Sequence, residues 1–330
     1  MSADGRGRPE LLSVVAPVFD ERTAIETFYV RVCAALADHP FELVLVDDGS
    51  TDGTAEALAA IAAQDPRVLV VSLTRNFGHQ AALTAGLDHA RGNPVVMLDS
   101  DLQDPPELIP DMVQRWREGS DIVYAVRRRR AGERRFKLAT AGLFYRLFRR
   151  LSSVDLPPDS GDFRLLDRHP LDALLSMRER ARFLRGMTAW VGYTQTVVEY
   201  DRDPRLNGET KYTLPRMVAL SFDAISSFSH LPLQLATWLG FVISAFAFAC
   251  IPLIVVLRLA GSYLPGFGTI TIAILGLGGI QLIALGIIGE YLSRIYDEVK
   301  GRPLYLVREP RGDDASDGGR FVRERQRDEV

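Results

Sequence analysis

Cysteine is scarce in this chain, and two common phosphate-binding motifs are absent. The only cysteines, Cys33 and Cys250, lie far apart in unlike surroundings, so neither a disulfide framework nor a zinc site is indicated. No G-x-G-x-x-G follows the first predicted strand, and no G-x-x-x-x-G-K-S/T occurs. We therefore do not expect a dinucleotide-binding fold. Any bound phosphate has to be held by a metal ion or by separate Arg and Lys side chains.

Charged residues are missing from two long runs near the C-terminal end. Residues 233–257 and 264–289 contain none, and each run exceeds the roughly 20 residues that cross a bilayer core. We therefore predict two transmembrane helices. The residues between them carry one Arg, whereas five basic residues lie between residues 294 and 311. The positive-inside rule then predicts a multi-pass protein of the inner or plasma membrane, with the N-terminal domain and both termini in the cytoplasm.

Positive charge is concentrated in one other place, although the formal net charge is only −3. Residues 127–150 contain ten Lys or Arg and a single acid. Apolar residues from Leu138 to Leu151 interleave with the cations, which favours a basic amphipathic helix at an anionic membrane surface. A merely solvated charge run is the alternative. Two membrane spans argue against nucleic acid as the partner.

The N-terminal part alternates short apolar runs with helical patterns. The predicted strands are 11–16, 41–46, 68–73, 94–98 and 122–126, and the predicted helices are 23–37, 54–63, 79–90 and 106–118. Strands of this kind indicate an α/β fold with a mostly parallel sheet covered on both faces. The predicted division is a disordered N-terminus (1–10), this domain (11–211), a juxtamembrane amphipathic helix (212–232), two transmembrane helices (233–290) and a cytoplasmic tail (291–330).

Several predicted strands end in acidic residues. Asp99 and Asp101 follow one strand, and an extended backbone points side chains at i and i+2 to the same side. An isolated Asp-x-Asp is more often a turn than a metal site. However, Glu21 and Asp48 also follow strands, and ligands of parallel sheets bind beyond the carboxyl ends of the strands. Hard oxygen ligands at this edge favour a site for Mg²⁺ or Mn²⁺.

Seven segments together resemble the polyprenyl-phosphate glycosyltransferases of glycosyltransferase family 2, which include bactoprenol glucosyltransferases and dolichol-phosphate mannosyltransferases. They begin with residues 15–21, 46–54 and 74–80 and continue with 99–107, 161–165, 182–186 and 205–212. The resemblance runs in order from about Leu11 to about Gly301. Three departures are mild: Phe19-Asp20 replaces the usual Tyr-Asn, Ser100 replaces Ala, and Glu209-Thr210 replaces x-Ser.

The resemblance implies a GT-A-type nucleotide-sugar domain and a set of site residues. By this analogy the nucleotide-sugar residues are Pro17, Phe19, Glu21, Asp48, Asp99, Arg205 and Lys211. The metal ligands are Asp99, Asp101 and Gln103, and the acceptor-phosphate residues are drawn from Arg127, Arg128, Arg134 and Arg135. Asp162 and Asp101 are the catalytic candidates. Asp162 is the implied base, but a phosphate monoester loses its second proton near pH 6 and needs little help from a base.

The function implied by the resemblance is an inverting transfer of a sugar from a nucleoside diphosphate to polyprenyl (undecaprenyl) phosphate. UDP-glucose is the preferred donor, with GDP-mannose, UDP-N-acetylglucosamine and UDP-modified arabinose left open. A homo-oligomer, by resemblance a tetramer, is expected. The alternative class is a non-enzymatic membrane sensor or scaffold that binds nucleotide sugars. A processive polysaccharide synthase would need more spans and a Gln-x-x-Arg-Trp segment, which the chain lacks.

Overall fold

A computed structural model describes residues 6–128, 160–180, 182–200, 267–308 and the isolated positions 238, 240–242 and 246. The described residues belong to two compact units: residues 6–200 with 303–308 form one, and residues 238–302 the other. The first unit holds seven strands: β1 (Leu12–Val18), β2 (Phe41–Asp47), β3 (Val68–Ser72), β4 (Val95–Met97), β5 (Ile122–Arg127), β6 (Ser160–Leu166) and β7 (Gln195–Tyr200).

Six helices of the same unit connect or flank these strands. They are α1 (Ile25–Ala35), α2 (Thr54–Gln64), α3 (His79–His89), α4 (Ile109–Arg117, preceded by the 3₁₀ turn Pro106–Leu108), α5 (Arg168–Ser176) and α6 (Leu184–Trp190). The five strands and four helices predicted from the sequence are present, with ends shifted by a few residues. The sequence patterns do not predict the elements β6, α5, α6 and β7.

The strands form one mixed sheet in the order β3-β2-β1-β4-β6-β5-β7. All pairs are parallel except those of β6, which runs antiparallel to both β4 and β5. The prediction of an α/β fold with a mostly parallel sheet is therefore confirmed. Because β6 is reversed, its N-terminal residues lie at the same edge as the carboxyl ends of the parallel strands, and this brings Asp162 to that edge.

Alternate residues of the central strands explain how helices cover both faces of the sheet. Leu12, Val14 and Ala16 of β1 belong to a buried cluster with residues of α1, α2 and α4. On the other face, α3 approaches so closely that a Cβ on Gly86 would lie 2.3 Å from Val15 Cγ1. Glycine is thus required where α3 crosses β1. The paired helices hold the strand ends, and with them the acidic loops, in fixed positions.

One helix of the second unit has the length and composition of a membrane span. Helix α7 (Phe267–Val299) has 33 residues. Its segment Gly276–Val299 has a mean hydropathy of 1.3 in its most apolar stretch, and no residue of that stretch is buried. It contains most of the predicted run 264–289 and continues past its end. Of the other run, 233–257, only residues 238, 240–242 and 246 are described, and they are helical. Two transmembrane helices therefore remain a prediction.

The predicted domain division stays a prediction, and contacts of the described residues bear on both of its ends. Residues 6–10 are described, and Arg6 donates to the carbonyl oxygens of Trp116 (3.1 Å) and Ser120 (2.6 Å) and pairs with Asp121. The predicted tail likewise begins inside α7, and residues 303–308 return to the first unit, where Val307 forms an antiparallel bridge with Leu73. The predicted helix 212–232 and the basic segment 129–150 lie outside the described residues.

Candidate active site

The loops that follow β1, β2 and β3 are tied together by side-chain hydrogen bonds. Asp48, which is buried directly after β2, accepts from the backbone N–H groups of Phe77 (2.7 Å) and Gly78 (3.0 Å). The backbone N–H of Glu21 donates to the Thr54 hydroxyl at 3.0 Å. Burial raises the pKa of Asp48, against the lowering effect of its two backbone donors. Asp48 therefore organises the loop before α3, whichever ligand the loop contacts.

The Asp99–Gln103 segment forms a tight turn beyond β4. The Ser100 hydroxyl donates to the carbonyl oxygen of Pro17 at 2.9 Å and so fastens this turn to the end of β1. Asp101 Oδ1 accepts from the backbone N–H of Gln103 at 3.1 Å, and Leu102 adopts a φ of +60°. The aspartate-turn alternative considered for the sequence is thus present. The hydrogen bond of this turn uses Asp101 Oδ1 and does not involve Oδ2.

Asp162 contacts two cationic side chains of the site. Arg185 donates to both of its oxygens, Nε to Oδ1 and Nη2 to Oδ2, each at 2.8 Å. His79 Nε2 lies 3.2 Å from Asp162 Oδ2 and 3.6 Å from Asp99 Oδ1. The register of β4 with β6 explains the geometry: Met97 pairs with Arg164, so two residues further on Asp99 lies beside Asp162.

These contacts determine the protonation of Asp162 and His79. Burial alone would raise the pKa of Asp162, but the Arg185 guanidinium, with support from His79, holds it well below its usual range. Burial would lower the pKa of His79, yet hydrogen bonding to Asp162 and the charge of Asp99 raise it. Asp162 is consequently an ionised and weakly basic carboxylate near neutral pH.

Arg127, one of the predicted acceptor-phosphate residues, is engaged inside the domain. Its Nη2 lies 3.4 Å from Asp104 Oδ1, and its Nε donates to the Tyr200 hydroxyl at 3.1 Å. Tyr200 in turn donates to Asp104, and a Cβ on Gly161 would lie 3.0 Å from Arg127 Nη2. Arg128 is exposed, with its Nε 3.5 Å from Glu199. Of the two, Arg128 is the cation presented to solvent.

The acidic turn contains oxygen ligands that a divalent cation could use. Among the described residues, no three His, Cys, Asp or Glu side chains are already arranged as a metal cluster. Asp99 Oδ1, however, is buried and accepts no hydrogen bond from the described residues. Burial raises the pKa of Asp99 to about 6. The charge of His79 opposes this rise in pKa, and the carboxylates of Asp162, Asp104 and Asp101 add to it. A cation would ligate this oxygen and offset the excess charge, so the residues fit Mg²⁺ or Mn²⁺.

Of the remaining predicted residues, two lie at the end of β1 and in the loop after it. Pro17 is buried at the end of β1, whereas Phe19 is 39% exposed in the following loop. Arg134, Arg135, Arg205 and Lys211 lie outside the described residues. His79 and Arg185 fall in segments that carry the resemblance, but no role for either residue follows from the sequence. Their functional signal is the contact with Asp162, which depends on the register of β6.

The protein has a GT-A-like α/β fold, and its carboxylate-rich site lies at the carboxyl edge of the mostly parallel sheet, where folds of this kind bind ligands. Residues 13–175 match glycosyl transferase family 2. The chain is 46% identical over 303 residues to the uncharacterized glycosyltransferase YkcC of Bacillus subtilis, covering 91% of this chain and 94% of that protein. It is 40% identical over 300 residues to a prophage bactoprenol glucosyl transferase homolog of Escherichia coli, covering 90% and 98%. The chain therefore belongs to glycosyltransferase family 2 and is a glycosyltransferase.

One solved structure also matches most of the chain. It is a mannosyltransferase of Pyrobaculum calidifontis in complex with GDP-mannose and Mn²⁺, with 19% identity, 90% of each chain covered and a TM-score of 0.45. No function follows from similarity at this level.

Proposed function

We propose that this protein transfers a glycosyl group from a nucleoside diphosphate sugar to polyprenyl phosphate, with inversion at the anomeric carbon, at the cytoplasmic membrane face. The observation that carries the proposal is the convergence of Asp99, Asp101 and Asp162 with His79 and Arg185 at the carboxyl edge of the sheet. The apolar helix α7 supports a lipid acceptor. So do several relatives at about 40% identity that are named bactoprenol glucosyl transferases.

In the proposed reaction, an oxygen of the lipid phosphate forms a bond to the anomeric carbon while the bond to the donor diphosphate breaks. The products are a glycosyl phospholipid and a nucleoside diphosphate. The lipid phosphate is mostly a dianion at neutral pH, so it attacks without giving a proton to the protein. The weak basicity of Asp162 is compatible with this step, and we assign Asp162 the task of holding Arg185 and His79 in place.

The donor diphosphate brings negative charge to a site that is already acidic. Asp99, Asp101 and Gln103 would hold a divalent cation, which when bound neutralises the departing diphosphate. In this proposal Pro17, Phe19, Glu21 and Asp48 border the nucleoside, Arg205 and Lys211 contact the donor phosphates, and the acceptor phosphate is bound by cations among Arg127, Arg128, Arg134 and Arg135. Since the Arg128 side chain is 59% exposed and that of Arg127 only 29%, Arg128 is the stronger candidate of the described pair.

UDP-glucose is the proposed donor because relatives carry glucosyl transferase names. The test uses the full-length protein in detergent with Mn²⁺ and measures release of nucleoside diphosphate with and without undecaprenyl phosphate. UDP-glucose, GDP-mannose, UDP-N-acetylglucosamine and a UDP-modified arabinose are compared. We expect release from UDP-glucose that the lipid phosphate stimulates. Binding of a donor without acceptor-stimulated release from any of the four would favour the sensor or scaffold alternative and overturn the proposal.

A further inference from the structure

The six residues Pro303–Arg308 follow α7 in sequence but form part of the first unit. They add to the free edge of β3: Val307 bridges Leu73 in antiparallel orientation, Arg308 N–H donates to the Ser72 carbonyl at 2.7 Å, and Thr74 N–H donates to the Leu306 carbonyl at 2.9 Å. We call residues 303–308 the edge segment. It pairs with the last residue of β3 and with the residues that lead toward α3.

A side-chain contact fixes the start of the edge segment. The Tyr305 hydroxyl donates to Asp88 Oδ2 at 2.8 Å, near the end of α3. Arg178 donates to both oxygens of the same carboxylate, each at 2.8 Å. The edge segment is thus attached to β3 by backbone bonds and to α3 by Tyr305, on the two elements that flank the loop Thr74–Gly78.

The loop Thr74–Gly78 delivers His79 to the active site, and it is held at several points. Asp48 binds its Phe77 and Gly78 N–H groups. Gly49 packs so tightly beneath it that a Cβ there would lie 2.6 Å from the Arg75 carbonyl carbon and 2.7 Å from Asn76 N. At its first residue, the Thr74 N–H donates to the Leu306 carbonyl of the edge segment. On the β3 side that bond adds to the one by which the Leu73 N–H donates to the Asp47 carbonyl at 2.9 Å, and it is the one that holds the first residue of the loop itself.

We propose that the edge segment is a positioning element of the active site: residues 303–308 of the same chain hold the Thr74–Gly78 loop so that His79 meets Asp162 and Asp99. The segment also covers the edge of β3, which would otherwise present unpaired backbone groups. The expected effect of the edge segment on catalysis rests on the proposed function. Its role in positioning the Thr74–Gly78 loop is independent of that function. The experiment therefore has one readout for each.

The test compares Arg308→Pro with Arg308→Ala in the full chain. Proline removes the N–H that donates to Ser72, whereas alanine keeps that N–H and removes only the side chain. Hydrogen exchange followed by mass spectrometry is measured on peptides covering residues 74–80. We expect Arg308→Pro to speed exchange at the Phe77 and Gly78 amides at least tenfold, with peptides of β1 and β2 unchanged, and Arg308→Ala to match the wild type. Equal exchange in both variants would overturn the proposal.

The activity readout uses UDP-glucose, Mn²⁺ and undecaprenyl phosphate. We expect Arg308→Pro to raise the donor KM or lower kcat by at least fivefold at a temperature where it is folded, with Arg308→Ala within twofold of the wild type. Inactivity of the wild type with every donor would refute the proposed function and leave the exchange result to decide the positioning role. Unchanged kinetics in an active Arg308→Pro variant would overturn the catalytic part of the inference.

Two further variants keep the proposal falsifiable if Arg308→Pro does not fold. Tyr305→Phe removes only the hydroxyl that binds Asp88, and the exposed Tyr193→Phe is its matched control. Leu73→Cys with Val307→Cys places two thiols at facing positions of an antiparallel pair, where a disulfide is geometrically feasible. A disulfide within one chain, seen on a non-reducing gel, supports the proposal. With Cys33 and Cys250 replaced by serine, a disulfide-linked dimer would mean that the edge segment pairs with a second copy, and would overturn the proposal.

Discussion

Arg185 binds Asp162 through two parallel hydrogen bonds, with its Nε and Nη2 each 2.8 Å from a different carboxylate oxygen. Such a bidentate pair is strong and fixes the orientation of both groups. The Asp162 side chain is only 5% exposed, and Arg185 holds its pKa well below the usual range. A carboxylate held this way is a poor proton acceptor and a good anchor for the cations beside it.

The first prediction concerns the joint role of these two residues. If Asp162 serves to position Arg185, then Asp162→Asn and Arg185→Lys should each lower kcat by about tenfold to 10²-fold without weakening donor binding. The kcat of the double variant should be no lower than that of the less active single variant. The two losses should not multiply, because residues in contact couple by about 0.5–3 kcal/mol. The kinetics of acceptor-stimulated UDP release measure this cycle.

Arg31→Lys is the control for the first prediction, since Arg31 makes a similar bidentate pair with Glu107 on the surface and should retain activity. A general base normally contributes about 10²–10⁴-fold. Asp162 would instead be identified as the base if Asp162→Asn alone loses about 10²–10⁴-fold in rate and the losses of the two single variants multiply in the double variant. Near-normal turnover of Asp162→Asn would refute both roles.

The parallel half of the fold follows from local sequence. Each of the strands β1 to β5 is a short apolar run, and helical patterns separate them, so the parallel sheet could be predicted. The strands β1, β2 and β4 lead into acids, so the acidic edge could be predicted as well. Strand β6 was missed because its apolar residues surround Arg164, which is fully buried. A charged residue inside a strand conceals the pattern that identifies buried strands.

The rest of the site depends on register and on distant contacts. His79 and Arg185 lie 83 and 23 positions from Asp162 along the chain, and nothing local in their segments reveals which carboxylate they meet. The edge segment is too short to show a strand pattern, and its partner β3 precedes it by more than 200 residues. Pairing of this kind is a property of the assembled sheet.

The second prediction tests the acidic turn. Asp101→Ala should lower turnover by about 10²-fold or more, the usual effect of removing one group that stabilises developing charge, and should weaken the dependence of donor binding on Mn²⁺. Isothermal titration of UDP-glucose with and without Mn²⁺, together with UDP release, measures both. Asp111→Ala, an exposed acid of α4, is the control. A normal rate for Asp101→Ala would remove the basis of the assignment.

The third prediction separates stability from chemistry at Ser100. Its hydroxyl is buried and donates to the Pro17 carbonyl, so Ser100→Ala leaves that carbonyl without its partner and should destabilise the domain by about 1–2 kcal/mol. Activity should stay within about threefold, because the resemblance shows alanine as the usual residue here. Thermal unfolding in detergent and UDP release are the measurements. A loss of activity with unchanged stability would place Ser100 in the reaction itself.

The fourth prediction is a pH dependence of stability away from the active site. Asp65 accepts hydrogen bonds from Arg67 and Tyr29, and the Arg67 guanidinium, against the effect of burial, lowers the pKa of Asp65 to about 2. The unfolded chain protonates this group near pH 4. Because the folded pKa is the lower one, the stabilisation is complete above pH 4 and is lost as the pH falls toward 2. At pH 6, Asp65→Asn should therefore melt at a lower temperature than the wild type, and this difference in melting temperature should be smaller at pH 3. A constant difference in melting temperature across this range would show that the charge of Asp65 does not stabilise the fold.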